Sequence, residues 1–284
     1  IEAASLTSVG GRVVLEADTV TLAAGSSLSA TGFTGGGDVL VGGDWQGGNN
    51  AARRIFDNPD QLREATTVTM EAGASIDASA TDNGDGGTVV LWSDVGHSDS
   101  VTTVNGHISG RGGRNVGNGG RIETSGHKLL VDALSVDASA GQGVGGEWLL
   151  DPYNISISSA ATSGTGDSSA SGVQTYAAAG SSSNINAGTI TSALGGGTSV
   201  TVTTGSSGSD LGDIVVSAAI TSASSSDVRL RLQAANSIIV NNAITASGNG
   251  KLHIELDADS DNGTRDGGGI VMLSADIVTN GGDL

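Results

Sequence analysis

Apolar and polar residues alternate in short runs along most of this chain, the pattern of strands that bury one face. The segment GGRVVLEADTVTLAAGSSLSATG (10–32) holds three such runs in succession, around Val14, Val20 and Leu28. The last third shows how the runs are organised. DIVVSAAITSASSSDVRLRLQAAN (213–236) is followed directly by SIIVNNAITASGNGKLHIELDADS (237–260), and one offset of 24 carries Ile214 to Ile238, Ile220 to Ile244, Val228 to Leu252, Leu230 to Ile254 and Leu232 to Leu256. The next step, Ile238 to Val271 and Ile244 to Ile277, is 33, so nine further residues intrude there. Residues 27–43, 75–92, 107–126 and 135–150 share a looser version, with a strand, a Gly-rich corner and a second strand.

A fixed period of this length argues for a solenoid. A sandwich requires larger core residues and hairpin loops. A 24-residue unit with about three short strands suits one coil of a parallel β-helix. Inward Val, Ile and Leu stack on those of the next coil, and Ser, Thr and Asn face out. The expected fold is therefore all-β, a parallel β-helix with a few protruding loops. At ~4.8 Å per coil, about twelve coils would give a rod of roughly 55–60 Å. Helix is expected only at TITSALGGG (189–197), as a single turn ending at Leu194 and capped by Gly195. Two stretches break the pattern: the Ser/Ala/Gly-rich segment 158–188 and the densely charged RRIFDNPDQLREA (53–65). The chain divides accordingly into a β-helical segment 1–158, a loop or boundary 159–197, and a second β-helical segment 198–284.

Composition adds to this picture. Hydrophobic residues at 37% are too many for a disordered linker, and aromatics at 2% suit a narrow coil with little room for rings. The net charge of −18, with 12 Lys and Arg, lacks the positive footprint that nucleic acid or an anionic membrane surface requires. No stretch approaches the ~20 apolar residues of a spanning helix, so no membrane insertion is expected. Cysteine is absent, which removes disulfide and thiol chemistry. The chain opens at Ile1 without a signal peptide, which reads as a piece of a longer, processed protein.

Three stretches, in order, carry a family likeness: VLVGGDWQGG (39–48), ASIDASATDNGDGGTVVLWSD (74–94) leading to GNGGRIETSGH (117–127), and GGEWLLDPYNISIS (145–158). Together they resemble the large exoproteins of bacterial two-partner secretion, the filamentous-haemagglutinin-like adhesins. The resemblance covers roughly residues 25–158. It implies a right-handed parallel β-helix, export through a dedicated outer-membrane partner transporter, and display at the bacterial cell surface or release from it. It also implies an adhesin that binds host surfaces, other bacteria or matrix polysaccharide. The expected function is surface recognition without catalysis and with no required cofactor. Glycan in host or biofilm material is the expected ligand, because dense Asn, Asp, Ser and Thr on flat strands can hydrogen-bond to hydroxyls while the net charge of −18 disfavours polyanionic partners.

Candidate chemistry is sparse. DADSDNGTRDGG (257–268) places Asp257, Asp259 and Asp261 at alternating positions, with Asp266 as a late carboxylate. Crowded carboxylates invite a cation, and calcium is the candidate. Asn262 and Gly268 stand where a calcium-binding EF loop has Gly and a bidentate Glu, so a solvated acidic turn is the competing reading. Trp45, Trp148 and Tyr153 are candidate platforms for sugar rings, against a packing role for each. GQGVGG (141–146) lacks the helix that a dinucleotide site requires, and reads as a corner. Rival functions are a polysaccharide lyase or hydrolase, since such enzymes also use β-helices, and a passive stalk carrying a toxin.

Overall fold

The computed structural model describes residues 1–58, 61–151, 154–160, 182–204, 212–260 and 269–284. Successive coils stack in parallel, and each coil contributes to three walls. The first wall is an eight-stranded sheet of β1 (Arg12–Leu15), β4 (Asp38–Val41), β7 (Thr88–Trp92), β9 (Arg121–Ser125), β11 (Glu147–Asp151), β14 (Ser199–Thr203), β17 (Val228–Ala234) and β20 (Leu252–Ala258). The second wall runs β2 (Thr19–Leu22), β5 (Thr67–Met70), β8 (Val101–Ser109), β10 (Lys128–Asp137), β13 (Ser182–Asn186), β12 (Asn154–Ser158), β15 (Ile214–Val216), β18 (Ile238–Val240) and β21 (Val271–Leu273). On the third wall, β3 (Ser27–Ser29) pairs β6 (Ser75–Asp77), which pairs the far half of β8. Further along lie α1 (Ala187–Gly195) and the row β16 (Ile220–Ser222), β19 (Ile244–Ala246) and β22 (Ile277–Val278).

The 24-residue register is realised in the last coils. Ile214 pairs Ile238, Ile220 pairs Ile244, and Leu230 pairs Ile254. The step of 33 is also present, with Ile238 beside Val271 and Ile244 beside Ile277. Elsewhere the coils are longer. Asp38 pairs Thr88, 50 residues on, and Glu147 pairs Ser199, 52 residues on. The first wall therefore holds eight rungs, which span about 34 Å at ~4.8 Å each, instead of the twelve that division by 24 gives.

Inward side chains of the three walls form one continuous core. Along the first wall its rows include Val39, Val89, Ile122, Trp148, Val200 and Leu230 in register. Each lies on the neighbour's side chain one rung away, so burial on both flanks is automatic for any interior coil.

The helix is longer than a single turn. Asn186 caps it by accepting from the Gly188 N–H, and Gly195 is its last residue instead of its cap. The left-handed conformation falls two residues later, at Gly197 (φ +90°). The helix packs between β10 and β16 where strands would otherwise stand. Its width of about 10 Å matches two rungs. The second wall places two strands there, β13 and β12, where the first wall has β11 alone. The segment 159–197 thus contains a strand and a helix, both integral to the walls; residues 161–181 lie outside the described residues.

Candidate functional site

The outer face of the first wall is where the chain departs from a plain solenoid. Parallel register sets its outward residues in straight rows. One row reads Val14, Leu40, Val90, Glu123, Leu149, Thr201, Arg231, Glu255. A second reads Arg12, Asp38, Thr88, Arg121, Glu147 and Ser199. After β4 the chain does not turn the corner directly. The described residues of the segment, 42–58 and 61–65, lie back as a strap across β4, β7, β9 and β11, and an apolar cluster forms beneath: Leu40, Trp45, Val90, Trp92 and Leu149, with Ile55, Phe56 and Leu62 packed on it.

Asp44 holds the strap down. It is 3% exposed, and its carboxylate accepts the N–H groups of Trp45 (2.7 Å), Ile55 (2.8 Å) and Phe56 (2.8 Å). Charged acceptors make hydrogen bonds about twice as strong as neutral ones, so one side chain ties both limbs of the strap. The glycines of GGDWQG make room for an indole. A Cβ on Gly43 would lie 2.5 Å from Trp92 Cδ1, and one on Gly47 (φ +61°) 2.7 Å from its Cζ2.

Beneath the strap lies a fully buried acid. Glu123 accepts the Gln46 N–H at 2.9 Å and the Ser125 hydroxyl at 2.8 Å. Burial pushes its pKa up to about 8, against the lowering effect of those two bonds, and the charges of Asp151 and Asp44 push the same way. At the strap's far end Glu64 is raised to about 7, first by burial and then by the charge and hydrogen bond of Asp94.

The motifs that carry the family likeness therefore meet in one structure. GGDWQG supplies Asp44, Trp45 and Gln46, LWSD supplies Trp92 and Asp94, RIETSG supplies Glu123 and Ser125, and GGEWLLDP supplies Glu147 and Leu149. Past the strap the same face is open. A trough of about 580 Å³ runs from Arg53, Arg121 and Glu147 across Ser199 and Thr201 to Arg229 and Arg231.

The sugar-platform expectation does not hold for two of its three residues. Trp45 is buried under the strap, with Arg53 and Arg121 over its ring. Trp148 points into the coil, buried between Ile122 and Val200, and its Nε1 donates to Thr124 Oγ1 at 3.0 Å. Tyr153 lies outside the described residues, as do Asp261 and Asp266. Asp257 belongs to β20, where Gln233 Nε2 donates to it at 3.3 Å, and Asp259 sits in a left-handed turn (φ +59°). Among the described residues no three acids or histidines gather as a metal would need.

Sequence reasoning missed Asp44, Glu64, Asp94, Glu123 and the trough. The one signal was in the charged strap, where Ile55, Phe56 and Leu62 are apolar residues with no strand of their own to pack in. Among the described residues no helix is long and apolar enough to cross a membrane. No family model matches the chain, and no curated protein does either.

Proposed function

We propose that this chain is a β-helical segment of an exported bacterial adhesin, which binds glycan through the open outer face of its first wall. The observation that carries this reading is that face itself: a flat grid of Ser199, Thr201, Thr203, Arg229, Arg231 and Gln233 at fixed rung spacing, ending against a built wall at the strap. Hydroxyl, amide and guanidinium groups held on a rigid sheet suit the many hydroxyls of a polysaccharide, and rigidity lowers the entropy lost on binding. The ordered family motifs support the adhesin class, with a two-partner transporter for export and the cell surface as the site of action. The test is a glycan array probed with this chain, with and without calcium. Binding to defined glycans is expected, and a blank array would leave the chain a stalk.

One observation favours a polysaccharide-active enzyme instead. A carboxyl with a pKa near neutrality beside a second carboxylate is the equipment of acid–base glycoside chemistry, and Glu64 with Asp94 has it. Turnover of polyuronates that Glu64→Gln abolishes would establish that reading.

A further inference from the structure

The trough beside the strap carries the opposite sign from the rest of the molecule. The chain has a net charge of −18 and 12 Lys and Arg residues, yet Arg53, Arg121, Arg229 and Arg231 all line this one depression. They stand as two facing pairs. At the strap end, Arg53 and Arg121 lie 5.7 and 5.1 Å from the centre of the Trp45 ring, and Glu147 is ion-paired with Arg53. At the other end, Glu255 meets Arg231 at 2.6 Å and Arg229 at 3.9 Å. Against these four guanidiniums stand Glu147 at the strap end and Glu255 with Asp227 at the other, so the trough as a whole keeps a surplus of one positive charge. Burial lowers the Arg121 pKa, and the charge of Arg53 lowers it further, as expected of cations crowded together. Between the walls the floor is low: Ser199 and Thr201 are half-buried, and each offers a hydroxyl.

We propose that this trough binds a glycan strand bearing spaced carboxylates, a polyuronate, laid across the rungs with one carboxylate at each wall. The inference rests on the glycan-binding reading and adds the charge of the ligand to it. β9 and β17 are three rungs apart, so the two walls are separated by about 14 Å, a span of several sugar rings. A guanidinium fork matches a carboxylate in plane and in donor spacing, and the hydroxyls of the floor match those of the sugars. A surplus of one positive charge over the whole trough suits a few spaced carboxylates. A densely sulfated chain would bring many charges against Glu147, Asp227 and Glu255 and against the negative field of the whole molecule.

The test is calorimetric titration of the full chain with an oligogalacturonate and with the same oligomer fully methyl-esterified, at low and at physiological salt. The acid should bind roughly ten-fold tighter than the ester or better, and should weaken as salt rises. Arg53→Gln and Arg229→Gln should each cut acid affinity by roughly ten-fold and leave ester affinity alone. Arg111→Gln, on another part of the surface, should change neither. Circular dichroism and melting of each variant report that the fold is kept. Equal binding of acid and ester would overturn the charge assignment and spare the glycan reading. Binding of neither would overturn the polyuronate assignment, and a blank glycan array beside it would overturn the glycan reading as well. Tighter binding of a sulfated polysaccharide than of the uronate would overturn the argument for spaced carboxylates.

Discussion

One row of the first wall can be compared with itself. From Val14 to Leu149 it is apolar but for Glu123, and it is covered; from Thr201 to Glu255 it is polar and open. Backbone, register and pleat are the same in both halves. What differs is the strap, which turns an outward position into an interior one. In a solenoid, the side of the sheet a residue faces is set by its own strand. Whether that side is dry is set by chain from elsewhere.

The comparison can be broken most directly at Asp44. Asp44→Ala leaves three strap N–H groups without their acceptor and should cost about 3 kcal/mol or more in chemical denaturation. It should also red-shift tryptophan emission as Trp45 and Trp92 become wet. Unchanged emission would mean that the strap stays down without its tie. Next comes pH. The Glu123 pKa is raised in the folded protein from 4.5 to about 8, so the folded state binds the extra proton in that window. The contribution of Glu123 to stability is fully present below pH 4.5 and is lost as pH rises to about 8, by about 5 kcal/mol at most. Glu64 adds a smaller loss of the same sign up to about pH 7. Glu123→Gln keeps partners for Gln46 and Ser125 and should flatten the profile of melting temperature against pH. A variant as steep as the wild type would place the titration elsewhere.

Gly43→Ala sharpens the contrast within the covered half. Its methyl group meets the Trp92 ring, and overpacking of this kind costs about 1–3 kcal/mol. The smallest effect is expected in the open half. Thr201→Val occupies the position equivalent to Leu149 and should change stability by no more than about 0.5 kcal/mol in the same denaturation assay. If it stabilised the fold by much more, the open half would have an apolar cover of its own.

The fold was legible where coils are short. Ile220 beside Ile244 and Ile244 beside Ile277 follow from subtraction alone, because inward residues must recur once per turn. The number of coils was not legible. Alternation marks which residues point in, but it carries no record of how long the chain wanders from a corner before it returns, as between Asp38 and Thr88. Trp148 could have been placed by parity, since it shares the inward face with Leu150. Trp45 could not, because it belongs to no strand. Glu123 reads in sequence as an ordinary outward acid; its burial is made by Trp45 and Gln46, 77 residues earlier in the latter case.

The order of β10, β13, β12 and β15 along the second wall bears on how the molecule is made. Every other strand there, after the first, finds a partner among residues synthesised before it. β12 does not: both of its neighbours, β13 and β15, come later in the chain. A polypeptide emerging amino end first can wind itself up only as far as β11, and must then wait for Ser182–Asn186 before the winding resumes.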